Sequence, residues 1–198
     1  MKKRSIYVLI LIFSLIFSNI NASQKTNQVK SKSISHVNTL EITINEIFLI
    51  NKTVKETNYI IKFKIPNTIK KEMLKPELNK GELYIYNNGK RMTYLPLFNQ
   101  KKIDDISINE NRIIDIFNYI FEMEKNDKNF QKEYYEKNLK GVKLGDNTVI
   151  EFHDYQLYDE YLFPKNFIVI ENGKKIGEFQ IENLKINKKF DDTEFSIE

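Results

Sequence analysis

The strongest constraint on the fold lies in two apolar runs, Leu83-Tyr84-Ile85-Tyr86 and Arg91-Met92-Thr93-Tyr94-Leu95, joined through Asn87-Asn88-Gly89-Lys90. An Asn-Gly pair between apolar runs signals a hairpin, because both central residues of its tight turn take positive φ. A two-residue turn at Asn88-Gly89 sets Tyr86 opposite Arg91, Ile85 opposite Met92, Tyr84 opposite Thr93 and Leu83 opposite Tyr94. Side chains alternate along a strand, so Leu83, Ile85, Met92 and Tyr94 share one apolar face. The run before it is of the same kind: Tyr59, Ile61, Phe63 and Ile65 recur at every second position, with Lys62 and Lys64 between the last three. Pro66, which has no donor for a ladder, ends it. An antiparallel sheet with a continuous apolar side needs a cover or a guest.

Further strands follow from the same alternation. Leu40, Ile42 and Ile44 are in phase, and Ile47 and Leu49 continue one step out, which predicts a bulge near Asn45-Glu46. The polar stretch 23–36 fits at most a short helix. Residues 68–74, closed in by Pro66 and Pro76, read as a strand at an edge or beside a bulge. The best helix is RIIDIFNYIFEMEKN, 112–126, where Ile113, Phe117, Ile120 and Phe121 fall at helical spacing and Ile114, Ile116 and Met123 widen the stripe. Two readings of it stay open: an ordinary core helix, or a helix lying over the apolar side of the sheet and lining a pocket. A polar link containing Tyr134 and Tyr135 leads to strands at 140–144, 147–153 and 167–170. A second hairpin turn at Asn172-Gly173 then sets Ile170 opposite Lys175 and Ile168 opposite Gly177, so that Ile168, Ile170, Phe179 and Ile181 share a face. Leu184 and Ile186 fall out of step, which predicts a bulge at Glu182-Asn183.

The chain opens with Met1-Lys2-Lys3-Arg4, an apolar run over 6–17 and the small-residue site Asn21-Ala22-Ser23, the pattern of a secretory signal peptide, 1–22, cleaved near Ala22. An uncleaved anchor is the other reading, but the run falls short of the roughly 20 residues that a spanning helix needs. Residues 23–198 then have a length that suits a single domain, and export without disulfides is compatible with a bacterial periplasm. Of the formal net charge of +4, three units sit on Lys2, Lys3 and Arg4, so the remainder is near neutral and composition gives no support to nucleic acid as a partner. The chain has no cysteine, which excludes disulfides, thiolate metal sites, a cysteine nucleophile and a lipid-modified N-terminal cysteine.

His36 and His153 are the two histidines, without a second imidazole at metal spacing, and His153-Asp154 fits a strand-end pair better than part of a triad. A serine elbow, a phosphate-cradling glycine loop and a dinucleotide fingerprint are absent. Asp104-Asp105 and Asp191-Asp192 fit a calcium site or, more commonly, solvated caps. The expectation is a protein that is not an enzyme and uses neither cofactor nor metal. Its 14 phenylalanines and 11 tyrosines serve a core, and equally a surface on which an acyl chain rests.

The order of motifs resembles a known family. Pro66-Asn67, Glu72-Met73-Leu74-Lys75-Pro76, a strand, an Asn-Gly turn, a strand with Tyr94-Leu95-Pro96 and then Asn99-Gln100 are similar to the N-terminal half of the periplasmic outer-membrane lipoprotein carriers, the LolA-like proteins. The C-terminal half matches the same habit: Pro164, a strand, a glycine turn, a strand, Asn187 and an acidic turn leading from Phe190 to Phe195. The resemblance implies an α+β fold: a curved, incompletely closed antiparallel half-barrel with helices covering its concave apolar face. It implies a monomeric carrier that shelters lipoprotein acyl chains, or another lipid, between sheet and helices, acting as a chaperone in outer-membrane biogenesis. The partners implied are an inner-membrane ABC transporter and an outer-membrane acceptor. The cavity lining would be Tyr59, Ile61 and Phe63; Leu83, Ile85, Met92 and Tyr94; Ile113, Phe117, Ile120 and Phe121 of the helix; and Ile168, Ile170, Phe179 and Ile181. One position departs from the pattern: where the carriers place a lid-closing arginine just before Pro-Asn, this chain has Ile65, and neither Lys62 nor Lys64 offers a planar fork of donors. A periplasmic domain that senses a lipid or lipoprotein on the same scaffold, in the manner of an anti-sigma regulator, is the alternative.

Overall fold

A computed structural model describes residues 31–50, 53–105 and 112–197. The expected leader, 1–22, and the first part of the expected domain lie outside the described residues. Ser31–Glu198 forms one compact unit. Its strands are β1 (Thr39–Ile50), β2 (Thr53–Lys64), β3 (Thr68–Lys75), β4 (Leu83–Asn87), β5 (Lys90–Leu95), β6 (Gln100–Asp105), β7 (Gly141–Leu144), β8 (Thr148–Tyr158), β9 (Tyr161–Glu171) and β10 (Lys174–Ile186). They make one antiparallel sheet in the order β6-β5-β4-β3-β2-β1-β10-β9-β8-β7. Helices α1 (Arg112–Asn126) and α2 (Lys128–Lys137) join β6 to β7 and cover the concave face. The architecture is the α+β half-barrel.

The tight turns form where the sequence demands them. Asn88 and Gly89 take φ of 51° and 74°, Asn172 and Gly173 take 50° and 74°, and the β4–β5 register pairs Leu83 with Tyr94 and Ile85 with Met92 as expected. A further turn at Asp159-Glu160, with φ of 49° and 71°, joins β8 to β9 and pairs Tyr158 with Tyr161. It carries no glycine to announce it, so the two strands run longer than the alternation suggests. Pro164 lies within β9 opposite Tyr155, not ahead of the strand.

Three expectations about faces change. First, β1 pairs with β2 without interruption from Thr39–Lys64 to Ile50–Thr53, so there is no bulge at Asn45-Glu46. The slip lies instead in β10, where Thr43 pairs with Asn183 and Ile44 with Ile181, leaving Glu182 as the extra residue that the sequence places there. Ile44, Glu46 and Phe48 therefore face the helices, and Ile47 and Leu49 face away.

Second, β10 carries another bulge between Lys175 and Gly177, with Ile176 as its extra residue. Val169 pairs with Gly177, Ile168 with Glu178 and Phe167 with Phe179. Phe167, Val169, Phe179 and Ile181 thus share the buried face, while Ile168 and Ile170 turn to the other side. Gly177 explains the slip: a Cβ there would stand 2.7 Å from ring carbons of Phe48 and 2.8 Å from the Ile47 carbonyl oxygen. The bulge brings the residue without a side chain beneath Phe48.

Third, β3 pairs Ile69 with Tyr86 and Lys71 with Tyr84, and pairs the same two residues with Phe63 and Ile61 on its other side. Tyr84 and Tyr86 therefore share the concave face with Tyr59, Ile61 and Phe63. Leu83, Ile85, Met92 and Tyr94 lie together, but on the convex face. There Ile85 and Met92 bury with Phe195, flanked by Tyr94, Phe190 and Ile197 of the C-terminal segment.

The concave core is dominated by rings. Phe117 of α1 packs against Phe163 at 6.0 Å and Phe167 at 5.9 Å, and Phe121 meets Phe163 edge-on at 6.3 Å. The stretch expected as a link is α2. Asp127 caps it by accepting from the backbone N–H groups of Asn129 and Phe130, and Phe130 and Tyr134 bury one turn apart. The Tyr134 ring meets Tyr155 edge-on at 5.5 Å, and its hydroxyl donates to the Leu162 carbonyl.

Candidate functional site

The registers order the concave face into rows. One row reads Ile42, Ile61, Lys71, Tyr84, Thr93 and Lys102 from β1 to β6. The next reads Leu40, Phe63, Ile69, Tyr86, Arg91 and Asp104. In both the face is aliphatic and aromatic on β1 and β2 and becomes charged toward β6.

Of the residues expected to line a cavity, Tyr59, Ile61, Phe63, Ile113, Phe117, Ile120, Phe121, Phe179 and Ile181 belong to one buried cluster on this face. Leu83, Ile85, Met92, Tyr94, Ile168 and Ile170 do not. The sequence reading missed Tyr84, Tyr86, Arg91 and Phe167, although the hairpin register already tied Tyr84 and Tyr86 to Thr93 and Arg91.

Over the charged end lies a groove of about 500 Å³ lined by Tyr84, Arg91, Thr93, Leu95, Gln100, Lys101, Lys102 and Asp104. Asp104 accepts from Lys102 at 2.8 Å and from Arg91 at 3.5 Å. The Lys102 hydrogen bond is the main cause that holds its carboxyl below the usual value. The Tyr84 hydroxyl donates to Glu82 at 2.7 Å, and burial followed by that carboxylate pushes its phenol well above the ordinary range. Where the charged end meets the apolar end stands Lys71, its ammonium 3.8 Å from the centre of the Tyr59 ring. Burial lowers the pKa of Lys71, and the charge of Glu46 partly opposes the shift. Burial, then Glu46, pushes the Tyr59 phenol the other way.

A second groove, of about 520 Å³, opens at the C-terminal end of α1, between Ile34, Val37, Ile65, Pro66, Phe121 and their polar neighbours Asn118, Glu122 and Lys125. Ile65 thus stands where helix and sheet meet, packed against the core. The polar tie at this point comes from the helix: Asn118 donates to the Pro66 carbonyl at 3.3 Å. A further tie involves buried Glu124, which accepts from Ser33 at 2.5 Å and from the Tyr135 hydroxyl at 3.1 Å. The same hydroxyl accepts from the backbone N–H of Ile34, so the segment before β1 is fastened to both helices.

Among the described residues no group of acidic or histidine side chains is arranged to hold a metal. Asp191 instead caps the one-turn helix Asp192–Phe195 in a capping box with Glu194. Among the described residues, too, no helix is long and apolar enough to cross a membrane.

No protein-family model matches the sequence, and no curated protein does. Solved structures do match. A putative outer membrane lipoprotein-sorting protein domain from Vibrio parahaemolyticus is 14% identical with a TM-score of 0.52, over 79% of this chain and 88% of that one. A LolA superfamily protein from Nitrosomonas europaea is 8% identical with a TM-score of 0.54, over 88% and 98%. A DUF1329 family protein from Desulfovibrio piger is 9% identical with a TM-score of 0.52, over 87% and 93%. At such identities the likeness is one of architecture, and the fold of this chain is the LolA-like half-barrel.

Proposed function

We propose that the protein is an exported carrier that takes up the acyl chains of lipoproteins, or of another lipid, on its concave face and moves them from the inner to the outer membrane. The reading rests above all on the make-up of that face. Aromatic and aliphatic side chains of β1, β2, β9 and β10 lie under α1, and two grooves of about 500 Å³ flank this core. The leader pattern and the absence of cysteine fit a protein exported without lipid attachment. An inner-membrane ABC transporter that loads the carrier and an outer-membrane acceptor complete the proposal. No catalytic step is needed.

The energetics suit a shuttle without a cofactor. Burying a methylene is worth about 0.8 kcal/mol, so full enclosure of a chain of roughly sixteen carbons approaches ~13 kcal/mol. Several enclosed chains would pass the practical ceiling for release, near ~18–21 kcal/mol. A face that is only partly open holds its guest partly, which favours hand-over.

Residues 23–198, produced with their leader in a bacterial periplasm and extracted for lipid mass spectrometry, should yield co-purifying acyl lipids and should release lipoproteins from spheroplasts. Repeated recovery of an empty protein that also fails in the release assay would overturn the proposal.

A further inference from the structure

Single apolar side chains exposed to water are ordinary and carry no message. In this protein they gather. Of the eight large apolar side chains that are exposed among the described residues, six stand at one end of the sheet: Leu49, Val54, Leu78, Leu97, Phe98 and Val149. The registers define that end. There β1 turns into β2 beyond the pair Ile50–Thr53, β3 into β4 beyond Glu72–Leu83, β5 into β6 beyond Leu95–Gln100 and β7 into β8 beyond Leu144–Thr148. The Asn88-Gly89 and Asp159-Glu160 turns lie at the other end.

The centre of the group is the connection from β3 to β4 and the one from β5 to β6. Each holds a one-turn helix, Glu77–Asn79 and Pro96–Phe98, and neither helix gives a side chain to the core. Leu78 is 73% exposed, Leu97 66% and Phe98 64%. A Cβ on Gly81 would lie 3.6 Å from Cγ of Pro96, an ordinary contact distance, so the two turns touch. Folding gains nothing from these three side chains, which keep apolar surface in water at a cost. Charges of both signs stand among the tips, Lys75, Lys80 and Lys101 with Glu77, Glu82 and Asp146.

That mixture decides what can cover this end. A protein docked here would have to pair each charge it buried, and a stable interface needs about 800 Å² of matched surface on each partner. The headgroup layer of a bilayer solvates both signs of charge, and separate apolar tips enter the acyl boundary without a complementary shape.

We propose that this end of the sheet is a membrane-contact surface, where Leu78, Leu97 and Phe98 enter the interface of a lipid bilayer and Leu49, Val54 and Val149 lie at its margin. The groove that includes Leu95 and Gln100, the last pair before the Pro96–Phe98 turn, reaches the same end. The contact does not depend on what the concave face carries.

Sedimentation of the exported protein with vesicles of phosphatidylcholine, alone or mixed with phosphatidylglycerol, tests it. Because the tips carry both signs of charge, partition onto the two should agree within about threefold and survive high salt. Leu97→Ser combined with Phe98→Ser should lower partition roughly tenfold or more, and Leu157→Ser, at the other end, should leave it unchanged. An unshifted thermal transition shows that each variant folds. The chain has no cysteine, so an environment-sensitive dye can be placed at will. On Leu78→Cys its emission should move to shorter wavelength when vesicles are added, and on Lys90→Cys it should not; this pair decides if the double variant does not fold. The proposal is overturned if neither vesicle is bound, if binding needs phosphatidylglycerol and is lost in salt, if the folded double variant binds undiminished, or if the two dyes respond alike. Self-association that the double substitution abolishes, with vesicles ignored, would overturn it by making a second copy the occupant. An empty protein in the lipid-recovery experiment bears on the carrier reading alone.

Discussion

A methyl group at position 177 would meet two ring carbons of Phe48 and the backbone oxygen of Ile47 inside contact distance, so this glycine fixes how closely β10 approaches β1. Overpacking of this kind costs about 1–3 kcal/mol. Gly177→Ala should lower the urea midpoint accordingly, and Phe48→Leu in the same chain should recover part of the loss; equal midpoints for the two chains would show that the ring is not what resists. The role of Gly177 was hidden in the sequence because it depends on a bulge one residue earlier. Glu124 was more legible than the reading allowed. It follows Phe117 by seven residues and Ile120 by four, so it falls on the apolar stripe of α1, and a carboxylate there calls for buried donors. Ser33 and Tyr135 supply them from distant parts of the chain, which no local pattern reveals.

Among elements, the C-terminal segment has the clearest task. Phe190, Phe195 and Ile197 cover the convex side of the β4–β5 hairpin, and Lys62 and Lys64 of β2 pair with Glu194 and Asp192 around it. The hydrogen bond from Lys62 is the first cause that holds the Glu194 carboxyl below its usual 4.5, against a smaller opposing effect of burial. A carboxylate depressed in the folded state adds stability above its unfolded pKa and loses it as the pH falls through the folded one. Thermal midpoints should therefore drop on acidification below 4.5. Glu194→Gln should weaken the protein near neutrality by at most about 1 kcal/mol and flatten that part of the acid limb. A variant with an unchanged acid limb would assign the pH dependence to other groups. At this scale the two Asn-Gly turns, α1 and the Glu182 bulge were legible, because each depends on a few adjacent residues. Helix α2 was not: its buried side is little more than Phe130 and Tyr134 on a polar background, too narrow a stripe to read as periodic.

For the whole molecule, alternation showed an antiparallel sheet with an apolar face, and the family resemblance implied that it curved under helices, yet the reading assigned one hairpin to the wrong side. Within β4–β5 the tight turn fixes relative phase. Between β3 and β4 the chain passes through the one-turn helix Glu77–Asn79, and no local rule sets the parity across such a connection. The hairpin also offers apolar side chains on both faces, so alternation alone could not choose. If the carrier reading holds, α1 has to shift to admit a chain beneath it. Because the protein has no native cysteine, Asn67→Cys and Asn118→Cys can be joined by a cleavable bismaleimide across the Pro66–Asn118 contact. The tether should slow uptake of a fluorescent fatty acid roughly tenfold, and cleavage should restore it, as expected for a lid that gates entry. Uptake at the same rate in the tethered and cleaved forms would place entry elsewhere. An arc of ten strands that stops short of closure also ends in two rims, β6 and β7, beyond which no further strand pairs among the described residues. One rim is only the tetrapeptide Gly141–Leu144, and the other carries Lys101, Lys102, Asp104 and Asp105 along its length. Brevity on one side and dense charge on the other discourage copies from zipping together, so an unclosed sheet need not seed fibrils.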